Sequence, residues 1–306
     1  MRKGVITCFL WLLACGFLNA GPDAVQVSAG ADTNADGAFE FVVIGDRTGS
    51  GPASWSVMHR AIREINRLNP DFVIMIGDII EGNVFTGIEL ARQWQEARQY
   101  LDSLRSRVYF VPGNHDIFDA GSYHYWRRNV GNPHYSFDHA GCHFLVLNTE
   151  AFRKNGEPGF GADQIRFIRN DIDLHRGASH FFIIMHQPVW LMSGKIRSEW
   201  NEIVGALGSI PYSVIAGHLH VLAETEVQGN RYLIVGPTGG RMRLSRNPAM
   251  GLFHHYTRIR TDGSAVSMTF VEPGGQEYGE ALARDAYRRY LAGMMLLNRK
   301  ALLESY

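Results

Sequence analysis

Five apolar runs of strand length constrain this chain more than any other feature, because each breaks off abruptly into polar residues. They are "FVVIGD" at residues 41–46, "FVIMIGD" at 72–78, "VYFVPGNHD" at 108–116, "HFFIIMH" at 180–186 and "YSVIAGHLH" at 212–220. Between them lie amphipathic stretches with helical spacing, near residues 54–68, 88–106, 164–174 and 198–207. Strand, helix, strand units of this kind imply a parallel core. After Tyr135 the strands come closer together, so the expected fold is α/β (α+β), a two-sheet β-sandwich flanked by helices.

The polar groups at the run ends are Asp46; Asp78 with Glu81; Asn114, His115 and Asp116; His186; and His218 with His220. Taken singly, an aspartate after a strand is a turn former or helix cap, and a lone histidine is packing. All of them fall at the carboxyl end of a strand, the edge where open α/β sheets build sites, and this shifts the odds toward chemistry. Carboxylates, an amide oxygen and imidazoles without a thiolate suit first-row dications, and a carboxylate able to bridge suits two ions about 3.5–4 Å apart that clamp a phosphoryl group.

The ordered set "GD…GDxxE…GNHD…H…GHxH" resembles the calcineurin-like metallophosphoesterases over residues 39–271. That resemblance implies a binuclear site in which one metal takes Asp46, Asp78 and His220 and the other takes Asp78, Asn114, His186 and His218. His115 is then the acid that protonates the leaving group, and Asp116 holds its imidazole. The implied cofactors are one or two divalent ions among Mn, Fe and Zn.

The opening motif departs from the family pattern of aspartate, any residue, histidine, because Thr48 stands where the histidine ligand is expected. "GDRTG" is similar to an exported bacterial branch of the family. Two readings stay open for these residues. Arg47 and Thr48 bind the substrate phosphate and a neighbouring carboxylate or water, or else Arg47 forms a salt bridge on the rim and Thr48 caps a turn. Either way, the Asp46 metal is one strong ligand short.

The remaining features bound the cell biology. Arg2 and Lys3 precede an apolar run from Val5 to Leu18, the order of a secretory signal, so residues 1–20 are expected to be a signal peptide and 21–38 a linker. "LLAC" ending at Cys15 competes as a lipoprotein processing site, so the expected location is extracytoplasmic: periplasmic, secreted or lipid-anchored. Thirty basic residues against thirty acidic ones exclude the positive footprint of a nucleic-acid binder. Residues 272–306 are expected to form a helical extension, whose apolar stripe packs on the core or makes an oligomer contact. Substrate choice is assigned to the loops at 81–87, 120–133 and 190–197, with Tyr123, Tyr125, Trp126 and Trp190 as walls. Cys142 is expected to be a buried thiol, and His59, His139, His143, His254 and His255 carry no site reading.

These residues lead to an exported metal-dependent phosphohydrolase acting on a phosphomonoester or phosphodiester through metal-activated hydroxide. The rival is a catalytically weak or silent, metal-containing envelope binding protein.

Overall fold

The computed structural model describes residues 37–289 apart from 52, 151–158 and 243, so the expected signal, nearly all of the linker and the far end of the helical extension lie outside the described residues. In chain order the first elements are β1 (Phe39–Ile44), α1 (Ala53–Leu68), β2 (Phe72–Met75), α2 (Gly87–Leu101), β3 (Arg107–Phe110) and α3 (Ala120–Asn129). Next come β4 (Tyr135–His139), β5 (Cys142–Leu147), α4 (Ala162–Leu174), β6 (His180–Met185) and α5 (Lys195–Leu207). The chain continues with β7 (Tyr212–Ala216), β8 (Ala223–Val227), β9 (Asn230–Ile234), β10 (Tyr256–Thr261), β11 (Val266–Glu272) and β12 (Gln276–Gly279). Residues 280–289 are helical.

The strands form two six-stranded mixed sheets, ordered β12-β11-β10-β1-β2-β3 and β4-β5-β6-β7-β9-β8. Alternation decides which side chains face which layer. Phe41 and Val43 of β1 point between the sheets, where they meet Phe144 and Phe182 of the other sheet. Val42 and Ile44 point outward, under the Trp55, Met58 and Ile62 side chains of α1. On the far sheet, Leu145, Phe181 and Ile183 face α4 and α5 through Ile168, Ile172 and Trp200. Each fully buried side chain of this size contributes about 1.5–3 kcal/mol, so strands buried on both faces read as continuous apolar runs. The helix-flanked β-sandwich expected from the sequence is the fold observed.

Three expectations are corrected. The segment 120–133, expected as a loop, is mostly α3, started by Asp119: its carboxylate accepts from Ser122 N at 2.7 Å, and Ser122 Oγ accepts from Asp119 N at 2.9 Å. This capping box uses serine where glutamate is usual, and Gly121 masks the helical pattern. The second helix ends at Leu101, five residues before the expected Ser106, with Asp102 as its C-cap. The sheet also runs past residue 271, since β12 pairs antiparallel with β11 over Glu272↔Gln276 to Thr269↔Gly279. As a largely exposed edge strand, β12 has no apolar run to announce it.

Candidate metal centre

The carboxyl ends of β1, β2, β3, β6 and β7 converge on one edge of the sandwich, and after β1, β2 and β7 the chain turns through a conformation few residues tolerate. Asp46, Asp78, His218 and His220 have φ of 50, 52, 70 and 55°. Each such residue costs on the order of 1–3 kcal/mol, which persists only where the surroundings over-determine it. Those surroundings are backbone hydrogen bonds between turns: Asp46 N to Gly77 O at 3.1 Å and Arg47 N to Asp78 O at 3.0 Å. Gly113 is required by close approach, because a Cβ there would strike the Asp78 backbone and carboxylate.

Two groups of side chains meet at this edge and share Asp78. Asp46, Asp78 and His220 form one, and Asp78, His186 and His218 form the other, with ligand atoms in each group within 4.8 Å of one another. His186 donates Nδ1–H to Ile76 O at 2.8 Å, and His220 uses Nδ1 on Arg241 O. Both rings therefore turn Nε2 toward the carboxylates: His186 Nε2 lies 3.2 Å from Asp78 Oδ1, and His220 Nε2 lies 3.6 Å from Asp46 Oδ1. Backbone carbonyls that fix the tautomer in this way are a usual support of metal-bound histidine.

The donor set fits divalent ions. Asp46 Oδ2, Asn114 Oδ1 and His186 Nε2 are buried without a hydrogen-bond partner among the described residues. Each such orphan costs about 1–3 kcal/mol unless something satisfies it. Charge leads to the same conclusion. Burial pushes the Asp46 carboxyl up to about 6 against the pull of His186 and His220. His186 is driven well above its ordinary value, because Asp78 and Asp46 outweigh the burial that opposes its charge. A buried pocket that recruits a proton to offset its carboxylates is one that a cation neutralises.

Around this centre the expected roles change. His115 N donates to Asp78 Oδ1 at 3.1 Å and its Nδ1 to Glu81 O at 2.6 Å, so the ring is aimed by Glu81. Asp116, expected to hold that imidazole, instead accepts from Ile79 N at 2.9 Å, Ile80 N at 3.2 Å and Gly113 N at 2.8 Å. It ties the second motif to the third and does not touch the ring of His115.

Arg47 is corrected as well. Only 4 % exposed, it donates Nε–H to Ile79 O at 2.7 Å and NH1 to Ser54 Oγ at 2.9 Å, pairs with Glu81 at 3.2 Å, and lies 4.4 Å from the centroid of the Trp55 ring. An arginine so engaged braces loops, which is the blander of the two readings. Thr48 is buried, with Oγ1 3.5 Å from Asp78 Oδ2, a long contact to the shared carboxylate. Of the expected aromatic walls, Tyr125 stacks on Trp94 and Tyr123 packs in the same cluster, while Trp126, buried 5.6 Å from Trp94, and Trp190, buried against the second sheet, line cavities that share no residue with the metal centre.

Two residues take on roles that the sequence does not announce. Glu81, read in the second motif and at the head of the loop 81–87, orients His115 through its carbonyl, and its carboxylate accepts from Gly49 N at 3.0 Å. Glu150, after β5, accepts from Gln187 Nε2 at 2.7 and 2.6 Å and fixes the residue following His186. Its only sequence signal was its place at the end of an apolar run.

A family profile described as calcineurin-like phosphoesterase matches residues 39–222. No curated protein sequence gives a significant match. Among solved structures, a dimetal phosphatase from Danio rerio superposes with a TM-score of 0.64 at 14% identity, covering 78% of this chain and 98% of that one. The Plasmodium protein GAP50, described as the anchor in the inner membrane complex, gives 0.61 at 12% identity, covering 79% and 88%. PhoD gives 0.60 at 11% identity, covering 79% and 68%. At such identities the likeness is one of fold.

Proposed function

The chain belongs to the calcineurin-like phosphoesterase family, and from that premise we propose that this metal-dependent phosphoesterase is exported and cleaves a phosphomonoester or phosphodiester outside the cytoplasm. The observation that carries the site assignment is the sharing of Asp78 by two ligand groups, beside Asp46 Oδ2, Asn114 Oδ1 and His186 Nε2, which have no hydrogen-bond partner among the described residues. Asp46, Asp78 and His220 would hold one ion, and Asp78, Asn114, His186 and His218 the other. Ions there supply charge neutralisation at the phosphoryl oxygens and a more acidic water.

The chain's own residues do the rest. His115, with Nδ1 committed to Glu81, presents Nε2 to the leaving-group oxygen and gives it a proton as the P–O bond breaks. Asp116 and Glu81 position the loops. The N-terminal sequence, with its competing cuts at Cys15 and after Ala20, supports export. The mass of the mature N-terminus decides between a lipid anchor and a soluble form.

The second reading, a silent binding protein, is favoured by one observation: a protein of the same fold is described as an anchor. Metal analysis of the purified protein, followed by a panel of phosphoesters with added Mn, Zn or Fe, separates the two. Turnover that rises with metal supports the enzyme, and metal retention without turnover on any ester supports the binder.

A further inference from the structure

A second group of histidines and carboxylates lies at the opposite end of the far sheet. His143 sits near the start of β5, opposite Phe181 of β6, so it is about 16 Å along the strand from His186 at a rise near 3.3 Å per residue. Its Nε2 is 2.8 Å from Asp171 Oδ2, and since a carboxylate only accepts, Nε2 carries the proton. His175 donates Nδ1–H to Asp171 O at 2.8 Å. Ser136 Oγ occupies the other Asp171 oxygen at 2.8 Å.

Asp171 thus fixes both rings, leaving His143 Nδ1 and His175 Nε2 to face the same group, the Asp138 carboxylate, at 2.7 and 3.7 Å. At 2.7 Å the His143 contact is a hydrogen bond from Nδ1–H to Asp138 Oδ1. A metal ion about 2 Å from each ligand requires that pair to open to about 3 Å, a shift the exposed Asp138 side chain allows. A proton on His143 accounts for one contact but leaves unexplained why His175, stacked on His143 at 3.9 Å, aims its remaining nitrogen at the same carboxylate.

We propose that Asp138, His143 and His175 form an additional divalent-cation site, of the class that zinc fills, separate from the family site and independent of it. Their ligand atoms lie within 4.8 Å of one another. Two imidazoles and a carboxylate are a common zinc set, and a ring nitrogen donating to a buried carboxylate is the usual outer support. His175 is the C-cap of α4, where the helix dipole favours a cation. Arg176, the nearest cationic neighbour in sequence, is engaged by Asp173 at 2.6 Å. The Asp138 side chain is 62% exposed and that of His175 29%, so the site is open to solvent and a water can complete the shell. Metal entry displaces the His143 Nδ1 proton to solvent.

The test counts zinc on the full chain, stripped by chelator and re-equilibrated, in wild type, Asp138→Asn and His175→Gln. Both substitutions are at accessible positions away from the family site. Each variant should take up one equivalent fewer than wild type, with unchanged hydrolysis of an aryl phosphoester. Equal uptake by wild type and both variants overturns the proposal and leaves the proton as the occupant.

Discussion

The backbone carbonyl of Glu81 accepts from His115 Nδ1 at 2.6 Å, while the Glu81 side chain pairs with Arg47 at 3.2 Å. The arginine of the opening motif therefore braces the loop that aims the proposed acid. Arg47→Ala should lower kcat by about ten- to a hundredfold with little change in KM, the pattern of a misplaced catalytic group. Arg47→Lys should restore little, because a lysine cannot reproduce the fork to Ile79 O and Ser54. A raised KM at constant kcat would return Arg47 to phosphate binding.

His115→Ala should lower turnover on an ester with a poor leaving group by about two to four orders of magnitude. The loss should be smaller for an activated aryl ester, whose leaving group needs less protonation. Metal content should stay near wild type, since the ring of His115 is outside both ligand groups. Full activity on the poor leaving group would remove it from the chemistry.

Thr48 faces the shared carboxylate only through a 3.5 Å contact, so the ion of Asp46 and His220 should be the more weakly held. Mild chelation should remove one equivalent first, and Thr48→His should slow that loss. Two ions that resist chelation equally would contradict this account of Thr48.

Acid should destabilise the fold through His255. Its Nε2 accepts from Gly236 N at 3.1 Å, which requires the neutral ring, and burial pushes it down to about 4. A depressed folded value means that the stability is fully present above the unfolded value of about 6.5 and is lost as pH falls toward 4. The effect is on the order of a few kcal/mol. Urea midpoints for wild type should fall between pH 7 and 5 more steeply than for His255→Asn. Parallel slopes would show that other groups carry the acid response.

That Asp46, Asp78, His186, His218 and His220 meet at one sheet edge was legible in the sequence, because each follows an apolar strand run at its carboxyl end. Orientation was not legible. Asp116 follows His115 directly, yet three amides at Ile79, Ile80 and Gly113 capture its carboxylate. For Arg47 the sequence leaves phosphate binding and a salt bridge both open, and only the closure of Ser54, Ile79, Glu81 and Trp55 around it separates them. Neither outcome is a property of the local sequence, since each depends on which loops the sandwich brings together. His143 passed for hairpin packing for the same reason, because its partner Asp171 is 28 residues away.

Asp78→Asn tests the central claim most directly, since both proposed ion sites share that carboxylate. Relative to wild type, the variant should lose two metal equivalents and its phosphoesterase activity while keeping the unfolding cooperativity of a folded protein. A folded Asp78→Asn protein that retains both equivalents and full turnover would contradict the shared site.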